Sequence, residues 1–371
     1  MAKKIKKDEY EVKAGEAKQI EAPKLDYRPR DPKKYRPNIG LIGCGGISGA
    51  HLGAYKLAGY NVVAFCDADR SRAEAKQKEF NPDAQIYTDH RELLKRDDIE
   101  VVDIATHPPE RAPLVEAALN ARKHVLSQKP FCIDLTVGYK LCDLADRKNV
   151  KLAVNQNGRW APHFSYIRNA ISDGVMGKVF AAHLSVHWNH NFIKGTPFDK
   201  IRHITLYDFG IHWFDIVTTF FGGKGAKRVF ASVAKSPTQA ANMPLLAQAI
   251  LEFDEGQATL SFDADVKLGA QDRTYVAGEK ASISSVGPDL GKQELTITTA
   301  KGSASPKLEG SWFPDGFHGT MAELLCAIEE KRVPSNNARS VMMGLANCFA
   351  ACKSADTGKP QIPGKVIKLP M

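Results

Sequence analysis

Residues 39–48, Ile-Gly-Leu-Ile-Gly-Cys-Gly-Gly-Ile-Ser, decide the fold of this chain. The apolar run at 39–42 has the length of a buried parallel strand, and residues 47–57 place apolar side chains at helical spacing. A strand, a glycine turn and a helix in this order are typical of the phosphate-binding unit of a dinucleotide fold. A plain turn of an α/β protein that binds no nucleotide is the alternative.

The glycine turn predicts contacts to the pyrophosphate of a dinucleotide. Gly43 permits the tight turn, and Gly45 has no side chain, so that a phosphate can approach the backbone. Ser48 stands where the usual pattern has a third glycine, and it is small enough for close packing of helix on strand. Because free N–H groups at a helix start attract anions, the expected contacts are Gly43, Gly45, Gly46, Ile47 and Ser48.

An acidic residue ends the next predicted strand, 61–66, and it indicates which cofactor binds. Asp67 stands 24 residues after Gly43, near the roughly 20-residue spacing of the acid that binds the adenosine ribose 2′-hydroxyl. A carboxylate there repels a 2′-phosphate, so NAD is the expected cofactor. Arg70 follows closely and could instead accept that phosphate, which leaves NADP as the alternative.

Short apolar runs alternate with helical patterns through residues 38–155. The alternation predicts an N-terminal Rossmann domain, which is a doubly wound parallel sheet with helices on both faces. Ligands of such sheets bind at the carboxyl ends of the strands. Two more strand ends therefore face the expected cofactor crevice, and they carry Thr106, His107 and Pro108, and Gln128 and Lys129.

The pattern changes after residue 155. Residues 156–371 are expected to form an α+β domain for substrate binding and oligomerisation, with a large, mostly antiparallel open sheet of long alternating strands. An apolar helix is predicted near 209–221, and two helices that cover the domain boundary are predicted near 315–331 and 338–354.

Residues 1–37 are rich in lysine, glutamate and proline and contain few large apolar residues, so they cannot build a core. Their prolines predict an extended arm, anchored by Tyr27 and Tyr35, on its own domain or on a neighbouring subunit. A disordered leader is the alternative.

The composition excludes several classes of protein. The formal net charge is +9, but basic and acidic residues are interleaved and no nucleic-acid-binding motif is present. No apolar run reaches the roughly 18 residues of a membrane span, and the lysine-rich start has no apolar segment of a secretory signal. Seven scattered cysteines without paired metal spacing indicate reduced, mostly buried thiols and a cytoplasmic protein.

Three residues are candidates for proton transfer. Lys129 follows a buried-looking strand at the crevice, although a surface lysine in a turn is the commoner case. Asp208 and His212 are four residues apart, so that they share one face at a helix start, and His212 could accept a proton near neutral pH. An N-cap aspartate and a core histidine are the alternatives.

A second group of polar and aromatic residues could line a substrate pocket. His187, Trp188, Asn189 and His190 close a long predicted strand, and Trp188 offers a flat face of the type that packs against sugar rings. His318 could enter the same pocket from the far side. These histidines alternate with bulky residues and lack an obvious carboxylate partner, so no metal site is expected.

These motifs, taken in order, resemble the glucose–fructose oxidoreductase/inositol dehydrogenase/MocA family from residue 38 to about 360. The matching stretches are Gly-Leu-Ile-Gly-Cys-Gly-Gly-Ile (40–47), Cys-Asp-Ala-Asp (66–69), Val-Val-Asp-Ile-Ala-Thr (101–106), Lys-His-Val-Leu-Ser-Gln-Lys-Pro (123–130), Asn157 with Arg159, 208–215, and Phe-His-Gly-Thr-Met (317–321).

The resemblance implies NAD(P)-linked oxidation or reduction of a secondary hydroxyl of a sugar, glycoside or cyclitol, with the C3 hydroxyl of a pyranose as one candidate. It implies His212 as base, Lys129 as the cation that stabilises the alkoxide, and Asp208 as the residue that orients His212 or holds the adjacent hydroxyl. Asn157 is an implied cofactor contact; the implied substrate contacts are Lys129, Arg159, Trp188, His190, Asp208, His212 and His318.

Besides Ser48 in the glycine turn, the chain departs from the family pattern at residues 107, where a histidine is inserted before the prolines, 111 and 128. The Glu-Lys-Pro motif of the family reads Gln128-Lys129-Pro130 here, and Arg111 stands where the family usually has a histidine. Two other functions stay open: a glycoside hydrolase or lyase that uses NAD transiently, and a non-catalytic nucleotide-binding regulator. A homo-oligomer, dimer or tetramer, is expected from proteins of this type.

Overall fold

The structure is a computed structural model that describes residues 18–370. Its first sheet has six parallel strands in the order β3-β2-β1-β4-β5-β6. The strands are β1 (Asn38–Ile42), β2 (Asn61–Cys66), β3 (Gln85–Tyr87), β4 (Ile99–Ile104), β5 (His124–Gln128) and β6 (Leu152–Asn155). The helices between them are α1 (Ser48–Ala58), α2 (Arg70–Phe80), α3 (His90–Leu94), α4 (Pro108–Asn120) and α5 (Leu135–Lys148).

The order of strands reverses between β1 and β4, and this point locates the crevice. The strands there are almost fully buried, because helices cover both faces, which explains their continuous apolar sequences. The predicted doubly wound parallel sheet is therefore confirmed.

The second sheet has eight strands in the order β14-β13-β12-β11-β7-β10-β9-β8. All neighbours are antiparallel except β7 and β10, which are parallel. The strands are β7 (Val179–His187), β8 (Arg228–Ala234), β9 (Leu246–Phe253), β10 (Gly256–Asp263), β11 (Gln271–Gly278), β12 (Ala281–Asp289), β13 (Lys292–Thr299) and β14 (Gly302–Ala304). The remaining helices are α6 (Pro162–Ser172), α7 (Ile211–Phe220), α8 (Trp312–Glu329) and α9 (Ala338–Thr357).

One face of the second sheet is covered by helices and the other is open. Buried and exposed residues alternate along β9 and β11, as the sequence predicts for a half-buried sheet. The open face carries exposed large apolar side chains, among them Phe180, Phe230, Ile250 and Tyr275. The mostly antiparallel open sheet is confirmed, and β14 was not predicted because its sequence, Gly-Ser-Ala, contains no β-branched or aromatic residue.

Helix α8 returns to the first sheet. Phe317, Met321 and Leu325 share a core cluster with Ile39 and Leu41 of β1. The chain after residue 156 thus contributes to the packing of the N-terminal sheet, and the division of domains at 155/156 stays a prediction.

The described part of the N-terminal arm lies on its own chain. The Ile20 N–H donates to the Ser303 carbonyl at 3.0 Å, and the Tyr27 ring packs edge-on to Tyr166 at 6.1 Å between centroids. The Glu329 carboxylate accepts the backbone N–H groups of residues 33, 34 and 35. Residues 18–37 therefore form the extended arm that the prolines predict, and residues 1–17 lie outside the described residues.

Candidate active site and nucleotide crevice

The turn between β1 and α1 has the backbone that the glycines require. Gly43 has φ +95°, and a Cβ there would lie 2.9 Å from backbone atoms of Ala105 and Thr106. A Cβ on Gly45 or Gly46 would meet no heavy atom within 4 Å. The space above the turn is therefore open to a ligand that approaches the backbone.

A cavity of about 370 Å³ lies beside this turn at the carboxyl ends of the strands. It is lined by Gly43, Gly45, Asp67, Thr106 and His107 among the predicted residues, and by Asp69, Arg72, Thr88, His90 and Glu110, which were not predicted. Open glycines, a helix start and a carboxylate at the end of β2 form a donor and acceptor set that fits a dinucleotide.

Asp67 is held in place by the turn itself. Its Oδ2 accepts the Cys44 N–H at 2.8 Å, and its Oδ1 accepts the Asp69 N–H at 2.9 Å. The carboxylate is thus oriented at the cavity before any ligand binds.

Arg70 does not line this cavity. Its Nε lies 2.8 Å from Oε1 of Glu74 on the solvent side of α2, and Arg72 reaches the cavity instead, 3.3 Å from Asp69. Residues 70 and 72 point away from each other on a helix, and the sequence alone does not reveal where the helix is rotated.

Several predicted cofactor residues support the crevice rather than line this cavity. Ser48 is buried, and its hydroxyl donates to the Gly45 carbonyl at 2.6 Å. Pro108 begins α4, and Asn157 is buried, where its Oδ1 accepts the Trp312 Nε1–H at 2.8 Å. Gly46 and Ile47 belong to the turn, and Ile47 is exposed.

Lys129 and Asp208 come together from separate parts of the fold. The Lys129 ammonium donates to the backbone carbonyl of Asp208 at 2.9 Å and lies 3.6 Å from its Oδ2. Lys129 directly follows β5, whereas Asp208 precedes α7. The two side chains are mostly shielded, with 16% and 20% of their surfaces exposed, so their charges interact more strongly than a surface pair.

Asp208 lies in a π-helical turn, Thr205–Phe209, and not at the predicted helix start. The Gly210 N–H donates to the Thr205 carbonyl at 2.9 Å, and α7 begins only at Ile211. A π turn widens the backbone by one residue and is common at functional sites. The spacing of four residues therefore does not stack Asp208 on His212 as in an α-helix.

His212 is a buried and uncharged imidazole in this site. Burial, with the nearby Lys129 charge, holds the pKa of His212 well below its usual value. Its Nδ1 is buried and has no hydrogen-bond partner within residues 18–370, and its ring packs edge-on to Trp312 at 5.4 Å. The ring is therefore uncharged at neutral pH.

Trp188 and His190 form an aromatic wall next to the Lys129–Asp208 pair. Trp188 stacks on Phe209 at 4.0 Å between ring centroids, and its Nε1–H donates to Nδ1 of His190 at 3.0 Å. Burial lowers the pKa of His190 to about 4, while the Asp208 charge opposes that shift and the Lys129 charge adds to it. His190 is therefore neutral and feels both members of the pair.

Arg159 and His318, both predicted as substrate residues, are engaged elsewhere. The buried guanidinium of Arg159 donates to both oxygens of Asp215 at 2.6 Å, so it is a structural ion pair. His318 Nε2 lies 2.9 Å from Asp31 of the arm, and its ring packs on Tyr60 at the amino end of β2. The cofactor crevice lies at the carboxyl ends of the strands, on the opposite side of the sheet from His318. The sequence does not reveal these two ion pairs because the charged partners are remote in sequence, and substrate contact by either residue stays a prediction.

Arg111 is a residue whose role the sequence did not indicate. It is fully buried and donates to the carbonyls of Thr106 and Pro130, which joins the loops after β4 and β5. Burial lowers its pKa to about 10, and the Tyr207 and Asp208 charges oppose that shift. The one hint in the sequence was that Arg111 stands where the family usually has a histidine.

Family models and relatives agree with this geometry. The family model described as "Oxidoreductase family, NAD-binding Rossmann fold", GFO/IDH/MocA, matches residues 37–156, and the model of the GFO/IDH/MocA C-terminal domain matches residues 164–284. The chain belongs to this family. Its members with curated names include sugar and polyol dehydrogenases, and the protein is an oxidoreductase of this type.

Two curated relatives and one solved structure illustrate the similarity. The chain is 29% identical over 260 residues to the D-apiose dehydrogenase of Paraburkholderia graminis, which covers 63% of this chain and 69% of the relative. It is 31% identical over 183 residues to the inositol 2-dehydrogenase of Salmonella typhimurium, which covers 48% and 52%. An oxidoreductase from Agrobacterium radiobacter, crystallised with NAD+, L-tartaric acid and magnesium, superimposes with a TM-score of 0.79 at 21% identity, over 89% and 99% of the two chains.

The described residues contain neither a membrane-spanning helix nor a cluster of metal ligands. Within residues 18–370 no helix is long and apolar enough to cross a membrane. The same part of the chain contains no group of three or more His, Cys, Asp or Glu residues that could hold a metal ion.

Proposed function

We propose that this chain is an NAD-dependent dehydrogenase that oxidises or reduces a secondary hydroxyl of a sugar, glycoside or cyclitol, with a pyranose C3 hydroxyl as one candidate. The observation that supports this most directly is the contact of Lys129 with Asp208 at 2.9 and 3.6 Å, near a neutral His212 and at the carboxyl end of β5, two strands from β1 and its glycine turn.

Each residue has a defined task in the proposed reaction. The nicotinamide supplies the hydride acceptor or donor when it is bound. His212 takes the hydroxyl proton of the alcohol, because its imidazole is uncharged. The Lys129 ammonium stabilises the developing alkoxide, and Asp208 fixes that ammonium from one side. Trp188 and His190 would contact the ring of the substrate.

We infer that NAD is preferred over NADP. Asp67 and Asp69 present two carboxylates to the cavity, and the one arginine that reaches it, Arg72, is already close to Asp69. A ribose 2′-phosphate would meet net negative charge there, whereas a 2′-hydroxyl can donate to Asp67.

The function is tested with a panel of pentoses, hexoses, glycosides and inositols, read as absorbance of NADH and, separately, of NADPH. We expect net NADH to accumulate with at least one polyhydroxy substrate. Release of an aglycone without net NADH would instead favour the transient-oxidation hydrolase or lyase. Dinucleotide binding without turnover of any substrate would favour a regulator.

Substitution of the two proposed proton-transfer residues tests their roles. His212→Ala should lower kcat by about 10²–10⁴-fold, which is the usual contribution of a positioned acid or base. Lys129→Met should also lower kcat, while the affinity for NADH, measured by fluorescence, is retained in both variants. Lys140→Met, on the exposed side of α5, is the matched control and should leave turnover unchanged. Wild-type turnover of His212→Ala would exclude His212 as the base.

We also propose a cytoplasmic homo-oligomer, a dimer or tetramer. The open sheet face with Phe180, Phe230, Ile250 and Tyr275 is an apolar surface of the kind that associates with another copy. All seven cysteines are free and buried, which suits a reducing compartment. Sedimentation velocity measures the mass in solution.

A further inference from the structure

A chain of buried polar contacts runs beneath Lys129. His51 of α1 has no exposed surface, and its Nδ1 lies 2.7 Å from Oδ2 of Asp103 in β4. The Tyr55 hydroxyl donates to the same oxygen at 2.6 Å. On its other side, His51 Nε2 lies 3.1 Å from Gln128 Nε2 and 3.0 Å from Asn155 Nδ2.

The backbone N–H of Lys129 determines which atoms of this network carry protons. Its N–H can only donate, and it donates to Oε1 of Gln128 at 2.7 Å. The NH₂ end of Gln128 therefore faces His51, and it too can only donate. His51 Nε2 must accept, so the single imidazole proton is on Nδ1, where it is donated to Asp103, and the ring is uncharged.

We propose that Asp103, His51 and Gln128 act as a positioning relay, which holds the peptide N–H of Lys129 and thereby aims the Lys129 ammonium at Asp208. The catalytic consequence rests on the proposed function, whereas the arrangement of protons in the relay does not. Asp103 orients His51, His51 orients the amide of Gln128, and that amide fixes the backbone at the start of the Lys129 side chain.

The glutamine at 128 and the neutral His51 require each other. A glutamate at this position would present an acceptor to His51 Nε2, which is also an acceptor in the present chain. The ring would then need a second proton, which it would donate to the new carboxylate while Nδ1 continues to serve Asp103. The uncharged residue therefore avoids a buried imidazolium between two carboxylates.

The surroundings of His51 contain no competing charge among the described residues. Asp103 from β4 and the Tyr55 hydroxyl from α1 are the only titratable groups that hydrogen-bond in this network. Asn155 from β6 and Gln128 from β5 are neutral, and the Phe317 ring of α8 lies 4.8 Å away. The protonation of His51 is thus determined by residue 128.

The first test is spectroscopic and needs no turnover. In full-length protein labelled with ¹⁵N-histidine, the His51 signals are assigned by comparison with His51→Gln. At pH 7.5 we expect His51 to show one protonated nitrogen, Nδ1, and one unprotonated nitrogen, Nε2. In Gln128→Glu both nitrogens should be protonated at the same pH. A proton on Nε2 in the wild-type protein, or no change in Gln128→Glu, would overturn the relay.

The second test is kinetic and separates positioning from mere packing. Gln128→Met keeps the size of the side chain but removes the acceptor for the Lys129 N–H, so kcat should fall by about 10²-fold, the usual effect of a small misplacement. Gln128→Glu keeps an acceptor and should restore turnover to within a few-fold. Affinity for NADH is measured in both variants, so that a loss of cofactor binding is distinguished from a loss of positioning.

The outcomes of the two tests are distinguishable from failure of the proposed function. Equal turnover of Gln128→Met and the wild-type enzyme would overturn the positioning role. Should no substrate be turned over by the wild-type protein, the dehydrogenase proposal fails, while the ¹⁵N spectra of the wild type and Gln128→Glu still decide whether the relay exists.

Discussion

At the scale of single residues, Asp272 carries a carboxyl group that the fold holds uncharged. It lies in β11 with 1% of its surface exposed, and neither of its oxygens has a hydrogen-bond partner within residues 18–370. Burial, with the charge of Asp289, raises its pKa to about 8. The nearby His163 gives no compensating charge, because burial lowers its pKa to about 3.

This shift makes the stability of the wild-type protein depend on pH. The unfolded chain releases the Asp272 proton near pH 4, whereas the folded chain keeps it until about pH 8. Between these values the folded state binds more protons, so the contribution of Asp272 to stability falls as pH rises. In Asp272→Asn residue 272 no longer makes the free energy of unfolding fall with rising pH, because an amide releases no proton.

We expect Asp272→Asn to raise the free energy of unfolding relative to wild type at pH 9, by several kcal/mol because each pKa unit corresponds to about 1.4 kcal/mol. At pH 5 the advantage should be much smaller. Urea titrations at both pH values measure it, with the exposed Asp83→Asn as control. An advantage that is equal at pH 5 and pH 9 would contradict the pKa shift.

Two of the predicted substrate residues share one property. Arg159 and His318 are each paired with a carboxylate, Asp215 or Asp31, that lies far away in sequence. Lys129 and Asp208 are equally remote from each other, yet the ordered family motifs predicted that they serve one site. Contacts between residues that are remote in sequence can be predicted only where both residues belong to motifs of a known family.

At the scale of elements, the turn between β1 and α1 depends on backbone that other residues do not adopt. Gly43 combines a left-handed φ of +95° with a Cβ position 2.9 Å from backbone of the loop after β4. Gly59, at the end of α1, has a similar φ of +71° but open space around its Cβ position. A comparison of alanine substitutions at Gly43 and Gly59 therefore separates the effect of backbone strain from the effect of a steric clash.

We expect Gly43→Ala to abolish NADH binding, because the turn must move away from Ala105 and Thr106 to admit the methyl group. Gly59→Ala should cost only the about 1–2 kcal/mol of a left-handed residue with a side chain and keep NADH affinity. Fluorescence titration with NADH and thermal unfolding check both variants. Equal NADH affinity of the two variants would contradict the steric role of Gly43.

Regular elements were predictable and the π turn was not. The strands of the first sheet are short, mostly apolar runs, and β2 has the predicted bounds 61–66. The predicted helix near 209–221 begins two residues late because Thr205–Phe209 forms a π turn. No local sequence pattern encodes such an insertion, since it depends on how the turn meets Lys129 and the second sheet.

At the scale of the whole molecule, the arm and α8 join the two sheets. Leu25 and Tyr27 pack against the large core beside α6, and the Tyr27 hydroxyl accepts the Glu309 N–H at 2.9 Å. Farther along, Glu329 of α8 accepts three N–H groups of the arm. The described part of the arm therefore packs on its own chain. The sequence alone had left open whether the arm lies on its own domain or on a neighbouring subunit.

We expect the double variant Leu25→Ser, Tyr27→Ala to lower the free energy of unfolding by about 2–4 kcal/mol, from lost apolar burial and one lost hydrogen bond. Leu57→Ser is the matched control, because Leu57 is 77% exposed and its loss should leave the melting temperature unchanged. Calorimetry measures the stability, and light scattering measures the mass in the same samples. A lowered melting temperature at unchanged mass supports an arm that stabilises its own subunit. An unchanged melting temperature with a smaller mass would show instead that the arm holds neighbouring subunits together.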